Sequence, residues 1–197
     1  LIVQDAAYAT LVYDREPLSI LSRPGGKDTA IELHSMSKSY NMTGWRLGFV
    51  AGKKQVVQAY AEVKDNIDSG QFKAIQVAAC AGIADKNLSD QIKNHYQQRL
   101  EKLVAALKKA GFDAVMPGGT FYLYVEAPRA AGSVSFSNAE EASQHLIKEH
   151  LISTVPWDNA GAFLRFSATF ESDSESDDNR VINELGQRLE SAQLKWN

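Results

Sequence analysis

The chain has 197 residues, 44% of them apolar and 23% charged, with 21 basic against 24 acidic side chains and a formal net charge of -3. A soluble globular protein of that length can bury its own core. Its near-balanced charge argues against a nucleic-acid or membrane-surface partner, since both usually need a basic patch. The single Cys80 excludes a disulfide framework and a cysteine-based zinc site, and it points to a reducing, cytoplasmic compartment.

No apolar run reaches the roughly 20 residues that span a bilayer. A chain that opens at Leu1, without Met and directly into an apolar stretch, is expected to be preceded by further residues. Residues 1–4 read as a buried strand, too uniformly apolar for one wet face. Residues 31–34 and 47–51 read as two more strands, with Pro24-Gly25-Gly26 as a turn between the first and second. Residues 53–84 are mostly helical and break near Asp68-Ser69-Gly70. Ile92, Tyr96, Leu100, Leu103 and Leu107 recur at steps of three or four and predict a helix over 89–110, about 33 Å long. Ser89 suits its N-cap, and Gly111 suits the left-handed residue at its end.

The texture then changes to short strands at 113–116, 121–125, 152–155 and 163–167. A helix over 139–151 separates the middle two, entered by a capping-box pattern, Ser137-x-x-Glu140. A last helix over 177–194 turns Val181, Ile182, Leu185 and Leu189 inward. The acidic run 171–178 reads as its solvated lead-in, without the glycine and spacing of a calcium loop. Strands and helices alternate, so the class is α/β, with a boundary near residue 89.

Chemistry concentrates in Ser35-Met36-Ser37-Lys38 and in Arg46 eight residues later, between Gly44 and Gly48. Singly, these are a solvated lysine and turn hydroxyls. Together they suit a phosphate-bearing aldehyde. A lysine amine forms a Schiff base with a carbonyl, hydroxyls and an arginine hold phosphate, and glycines let the backbone pass close. Pyridoxal phosphate has that combination, and it needs a carboxylate at its pyridinium nitrogen. Asp5 follows the first strand, where ligands sit in open α/β sheets. A buried Asp5 would keep the ring nitrogen protonated, and Tyr8 would hydrogen-bond the 3-hydroxyl oxygen. Alone, Asp5 is a turn cap and Tyr8 an ordinary half-buried tyrosine.

Asp5-x-x-Tyr8, Ser35-x-Ser37-Lys38 and Arg46-x-Gly48 together resemble the signature of fold-type I, class I/II aminotransferases. Pro117-Gly118-Gly119-Thr120-Phe121-Tyr122 resembles the family's entry into its small domain, and Phe163-Leu164-Arg165-Phe166-Ser167 its carboxylate-gripping strand. These motifs run in family order over the whole chain. Asn66 to Gln76, and more loosely Thr154 to Trp157, look like members that are LL-diaminopimelate aminotransferases.

The resemblance implies the C-terminal part of the aspartate-aminotransferase-like large-domain sheet over residues 1–88, then a linking helix and small α/β domain over 89–197. It implies Lys38 as catalytic residue, with Asp5, Tyr8, Ser35, Ser37, Lys38 and Arg46 as the pyridoxal 5'-phosphate site and Arg165 as the substrate-carboxylate site. It implies transfer from an L-amino acid to a 2-oxo acid such as 2-oxoglutarate in a ping-pong cycle, by a protein that is a homodimer at full length. Two alternatives stay open: a lyase on the same scaffold, and a cofactor-sensing regulatory domain. Family members are about twice this length, so the chain alone is expected to be unstable and inactive. Pro156-Trp157-Asp158-Asn159 departs from the family's Pro-Gly run and leaves substrate choice open, with Trp157 a candidate pocket residue. His34, His95, His145 and His150 lack metal spacing and read as structural, and Cys80 reads as a core packer.

Overall fold

The computed structural model describes residues 1–68 and 70–197. Ser69, within the expected helix break, lies outside the described residues. The chain divides into two compact units: residues 1–94 with 118–120, and residues 95–117 with 121–197. Among the described residues no helix is long and apolar enough to cross a membrane.

In the first unit, β1 (Ile2–Asp5) leads through a short helix α1 (Gly26–Thr29) to β2 (Ala30–Ser35). A one-turn helix α2 (Met36–Ser39) precedes β3 (Gly48–Gly52). Helices α3 (Lys54–Asp65) and α4 (Lys73–Ala84) follow, and α5 (Leu88–Lys109) runs through the division between the units. The sheet order is β1-β2-β3, with β1 parallel and β3 antiparallel to β2. Glycines stand at both ends of β3 because β2 is too close for a side chain. A Cβ at Gly48 would lie 2.6 Å from the His34 carbonyl oxygen, and one at Gly52 2.4 Å from that of Ala30.

A polar clasp holds the crossover segment to this sheet. Gln4 Nε2 donates to the Leu18 carbonyl at 2.8 Å and its Oε1 accepts from the Ile20 amide at 2.9 Å. Beside it on β2, the buried Glu32 accepts from Ser19 Oγ, from the Leu21 amide and from the His34 ring. Burial pushes the Glu32 carboxyl up, but those hydrogen bonds outweigh it and hold it below the usual range.

The expected buried first strand is an exposed edge instead: Leu1, Ile2 and Val3 are all exposed. β1 has one neighbour, β2, and nothing among the described residues covers its other side. The same reason exposes Cys80, which was expected in the core: α4 buries only Ala79, and α3 buries nothing.

The second unit contains β4 (Tyr122–Glu126), β5 (Ala130–Ala131), β6 (Val134–Ser135), α6 (Ala139–His150), β7 (Val155–Trp157), β8 (Phe163–Ser167), α7 (Glu175–Ser191) and β9 (Leu194–Lys195). Two antiparallel sheets form, ordered β4-β8-β7 and β6-β5-β9. Period-2 alternation buries Leu123, Val125, Leu164 and Phe166, while Leu100, Leu103 and Leu107 supply the buried stripe of α5.

Several local expectations shift. Residues 113–116 form no strand, because no neighbour pairs with them, although Ala114 is buried. The strand expected at 152–155 is β7, displaced towards Trp157. Ser89 sits inside α5, which begins at Leu88. The α6 cap lies one residue later than expected: the Asn138 side chain accepts from the Glu141 amide, and Glu141 accepts from the Ser137 amide. The last helix is capped at Ser174 and stops at Ser191, and the chain then pairs as β9.

The acidic run is also not all solvated. Asp178 is 7% exposed and Arg99 5%. Arg99 Nη2 and Nε donate to the two Asp178 carboxylate oxygens at 2.8 and 3.2 Å. Arg99 Nη1 donates to the Ala168 and Phe170 carbonyls, and Nη2 also donates to Ser172 Oγ. All five guanidinium donors are therefore satisfied. Burial raises the Asp178 carboxyl, but hydrogen bonds from Arg99 and Ser172 and the Arg99 charge prevail, so it sits below its ordinary value.

Breaking a buried pair from one side typically costs about 3–5 kcal/mol, because the other charge is stranded. In urea unfolding of the native-length protein at pH 7, Asp178→Ala is expected to lose that much. As pH falls, the unfolded chain takes up the Asp178 proton first. The contribution is full above about pH 4 and is lost as pH falls through the lower native value. The wild-type advantage should therefore narrow below pH 4, and an advantage that is unchanged at pH 3 would contradict the pairing.

Candidate functional site

The first unit brings the polar motifs to one sheet edge. β1 and β2 are parallel, with Asp5 in register with Leu33, so Asp5 and Ser35 both leave the carboxyl ends of neighbouring strands. The Ala6 amide donates to the Leu33 carbonyl at 2.8 Å and holds the turn after β1 against β2. Asp5 Oδ1 accepts from the Ala7 amide at 3.1 Å. Asp5 is exposed rather than buried as expected, because β1 is an edge. Asp5 and Tyr8 line one cleft of about 400 Å³ with Gln4, Val12 and Arg15.

Ser35 ends β2 and caps α2, its Oγ accepting from the Ser37 amide at 3.1 Å. The turn that follows carries Lys38, which is half-buried with its Nζ 6.0 Å from the centroid of the Tyr8 ring. Ser37 and Ser39 are buried. Burial also pushes the phenol of Tyr40, at the end of α2, above its ordinary value. The Met36 amide donates to the Leu47 carbonyl at 3.0 Å and closes the loop onto α2.

Arg46 is exposed, with a left-handed backbone (φ 53°), and its Nη1 donates to the Thr43 carbonyl at 2.9 Å. Thr43, which the motif reading passed over, links the two halves of this segment. Its Oγ1 donates to the Ser37 carbonyl at 2.8 Å and ties the Arg46 turn to α2. The hydroxyl between Lys38 and Arg46 was the available signal. Gly48 serves the sheet rather than a ligand, since its close neighbour is His34. A Cβ at Gly44 would meet nothing within 4 Å.

A carboxylate, an ammonium, small hydroxyls and a guanidinium thus belong to segments that meet at one strand-end edge, although the cleft lined by Asp5 and Tyr8 is not lined by Ser35, Ser37, Lys38 or Arg46. That donor set fits a phosphate-bearing aldehyde with a basic ring nitrogen. No group of three or more His, Cys, Asp or Glu among the described residues could hold a metal.

Arg165 lies in the second unit, half-buried on β8. Its guanidinium carbon stacks 4.2 Å from the Tyr122 ring centroid and lies 6.0 Å from that of Trp157. Its Nε is buried with no hydrogen-bond partner, and it makes no ion pair among the described residues. Buried donors are normally satisfied, so this cation lacks an anion.

The family model of aminotransferase class I and II matches residues 1–178. LL-diaminopimelate aminotransferase of Methanococcus maripaludis is 51% identical over 96% of this chain and 47% of its own length. The enzyme of the same name from Methanocaldococcus jannaschii is 47% identical over 100% of this chain and 49% of its own. Apo-BacF from Bacillus subtilis superposes with a TM-score of 0.85 at 26% identity, covering 99% of this chain and 50% of that one. An aminotransferase from Staphylococcus aureus gives 0.80 at 28%, covering 96% and 50%. The chain spans about half the length of the curated relatives it matches.

The left-handed Arg46 yields a stability prediction. Arg46→Ala and Arg46→Gly both remove the guanidinium, but only alanine keeps the Cβ clash of that conformation. The glycine variant is expected to be more stable by about 1 kcal/mol in urea unfolding. A more stable alanine variant would contradict the turn geometry.

Proposed function

The chain belongs to the class I and II aminotransferase family, and on that premise we propose that it is part of a pyridoxal-phosphate-dependent aminotransferase. The reaction moves the amino group of an L-amino acid, LL-diaminopimelate, to a 2-oxo acid such as 2-oxoglutarate in a ping-pong cycle. The single observation that carries this reading is the convergence of Asp5, Ser35 and Lys38 on the carboxyl edge of β1 and β2. Relatives of that name at 51% and 47% identity support the choice of donor.

When bound, pyridoxal phosphate supplies an electron-withdrawing ring. Every other role falls to side chains of the chain. Lys38 Nζ would hold the cofactor through its aldehyde carbon, and once freed the amine would take the proton from the substrate's α-carbon and deliver it to that former aldehyde carbon, as base and then acid. Asp5 accepts a hydrogen bond from the protonated ring nitrogen and keeps that proton in place. Tyr8 hydrogen-bonds the ring's hydroxyl oxygen. Ser35, Ser37 and Arg46 hold the phosphate, with the guanidinium giving charge-assisted contacts. Arg165 takes the α-carboxylate, the anion its orphaned charge lacks.

Residues 1–88 serve the cofactor-binding domain, and 89–197 form the linking helix and small domain. The working protein is a cytoplasmic homodimer acting on small molecules.

The test is amino transfer by the protein at its native length, with ¹⁵N-labelled LL-diaminopimelate and 2-oxoglutarate. Label is expected in glutamate, with no free ammonia. Lys38→Ala is expected to abolish transfer, and Asp5→Ala to retain cofactor while losing at least about a hundredfold in kcat, the scale of a positioned proton-holding group. Free labelled ammonia would mark a lyase instead. Full turnover in Lys38→Ala would overturn the assignment.

A further inference from the structure

We propose that Trp157 is a specificity-determining residue. Its indole would flank the side chain of a substrate whose carboxylate sits on Arg165, and its ring N–H would donate to an acceptor at the far end of that side chain. The proposal rests on the reading of Arg165 as the carboxylate site. Its support lies in the sheet face opposite the core of the second unit.

Alternation along β4, β8 and β7 sends Leu123, Val125, Leu164 and Phe166 inward. The other face presents Tyr124 opposite Arg165 and Trp157 opposite Phe163. Tyr124 stacks on Phe163 with ring centroids 4.7 Å apart, and Trp157 meets Tyr124 edge-on at 6.3 Å. Trp157 is 41% exposed and Tyr124 44%. These aromatics border an arginine that has no counter-ion among the described residues, an arrangement that suits a ligand carboxylate flanked by ring faces.

The indole N–H of Trp157 has no hydrogen-bond partner among the described residues, and neither does the Tyr124 hydroxyl. An aromatic wall with unused donors next to a cation suits one chemical class: an amino acid with an extended methylene chain and a second polar, acceptor-bearing end. Short apolar donors would reach Arg165 but not the wall.

Trp157 is also held in place from behind. The Asp158 carboxylate accepts from the amides of Ala139 and Glu140, at 2.7 and 3.2 Å, across the first turn of α6. Asn138 caps the same turn. The charge-assisted contact of Asp158 with a helix start anchors the residue next to the indole. Asp158 is therefore a positioning residue for Trp157.

The experiment uses the native-length, cofactor-loaded protein and compares kcat/KM for LL-diaminopimelate with that for L-alanine. Trp157→Ala is expected to lower the ratio at least tenfold, through KM for the long donor. Trp157→Phe keeps the ring and should recover part of that loss but not the share owed to the N–H. Asp158→Asn should lower the ratio by a smaller factor, whereas a merely structural role would shift Tm and leave the ratio unchanged.

A second readout needs no turnover. Pimelate, a seven-carbon dicarboxylate, is titrated into cofactor-free protein and followed by tryptophan fluorescence. A quench that disappears in both Trp157→Phe and Arg165→Ala supports the site, even if no donor reacts and the aminotransferase reading fails. Active wild-type protein with an unchanged ratio in Trp157→Ala overturns the proposal. So does a pimelate quench that survives Trp157→Phe.

Discussion

Parallel pairing of β1 with β2 is the constraint on which the first unit depends. Because the strands run the same way, their carboxyl ends share one edge, and the residues that leave those ends are neighbours in space. Asp5 and Ser35 are 30 positions apart in sequence, yet both emerge there. An antiparallel pair would have sent them to opposite edges. The Gln4 and Glu32 clasp holds the crossover segment that makes this direction possible. The α2 turn, held by the Ser35 cap and closed by Thr43, then brings Lys38 and Arg46 to the same edge.

The second unit solves a different problem, which is to hold a cation on a sheet face without a counter-ion. Its device is a division of labour between two arginines. Arg99 is buried and fully satisfied, and it grips the carbonyls of Ala168 and Phe170 just past the end of β8. Arg165, on β8 itself, has aromatic neighbours and no carboxylate partner among the described residues. One guanidinium holds the segment beyond the strand, and the other is left with binding capacity.

Periodic features were legible in the sequence, and pairings across it were not. The alternating α/β order appears as expected, and the apolar stripe of α5 is visible at steps of three and four. The separated motifs, read together, pointed to the family whose model matches the chain. Residues 113–116 look like a strand but lack a neighbour, which no local pattern reveals. Asp178 looks like one more solvated acid, because Arg99 lies 79 positions away. The Asn138 cap was misread by one residue, since Ser137 and Asn138 are both good caps and only backbone geometry chooses between them. Burial of β1 and of Cys80 was over-read, because an apolar residue is inside only if something covers it.

Lys38 is the residue proposed to bind the cofactor, and one measurement addresses that role directly. The native-length protein is incubated with pyridoxal phosphate, reduced with borohydride, digested, and the labelled peptide sequenced. One label per chain is expected, on Lys38, and it should be lost in Lys38→Arg. A stoichiometric label on any other lysine, with Lys38 unmodified, would contradict it.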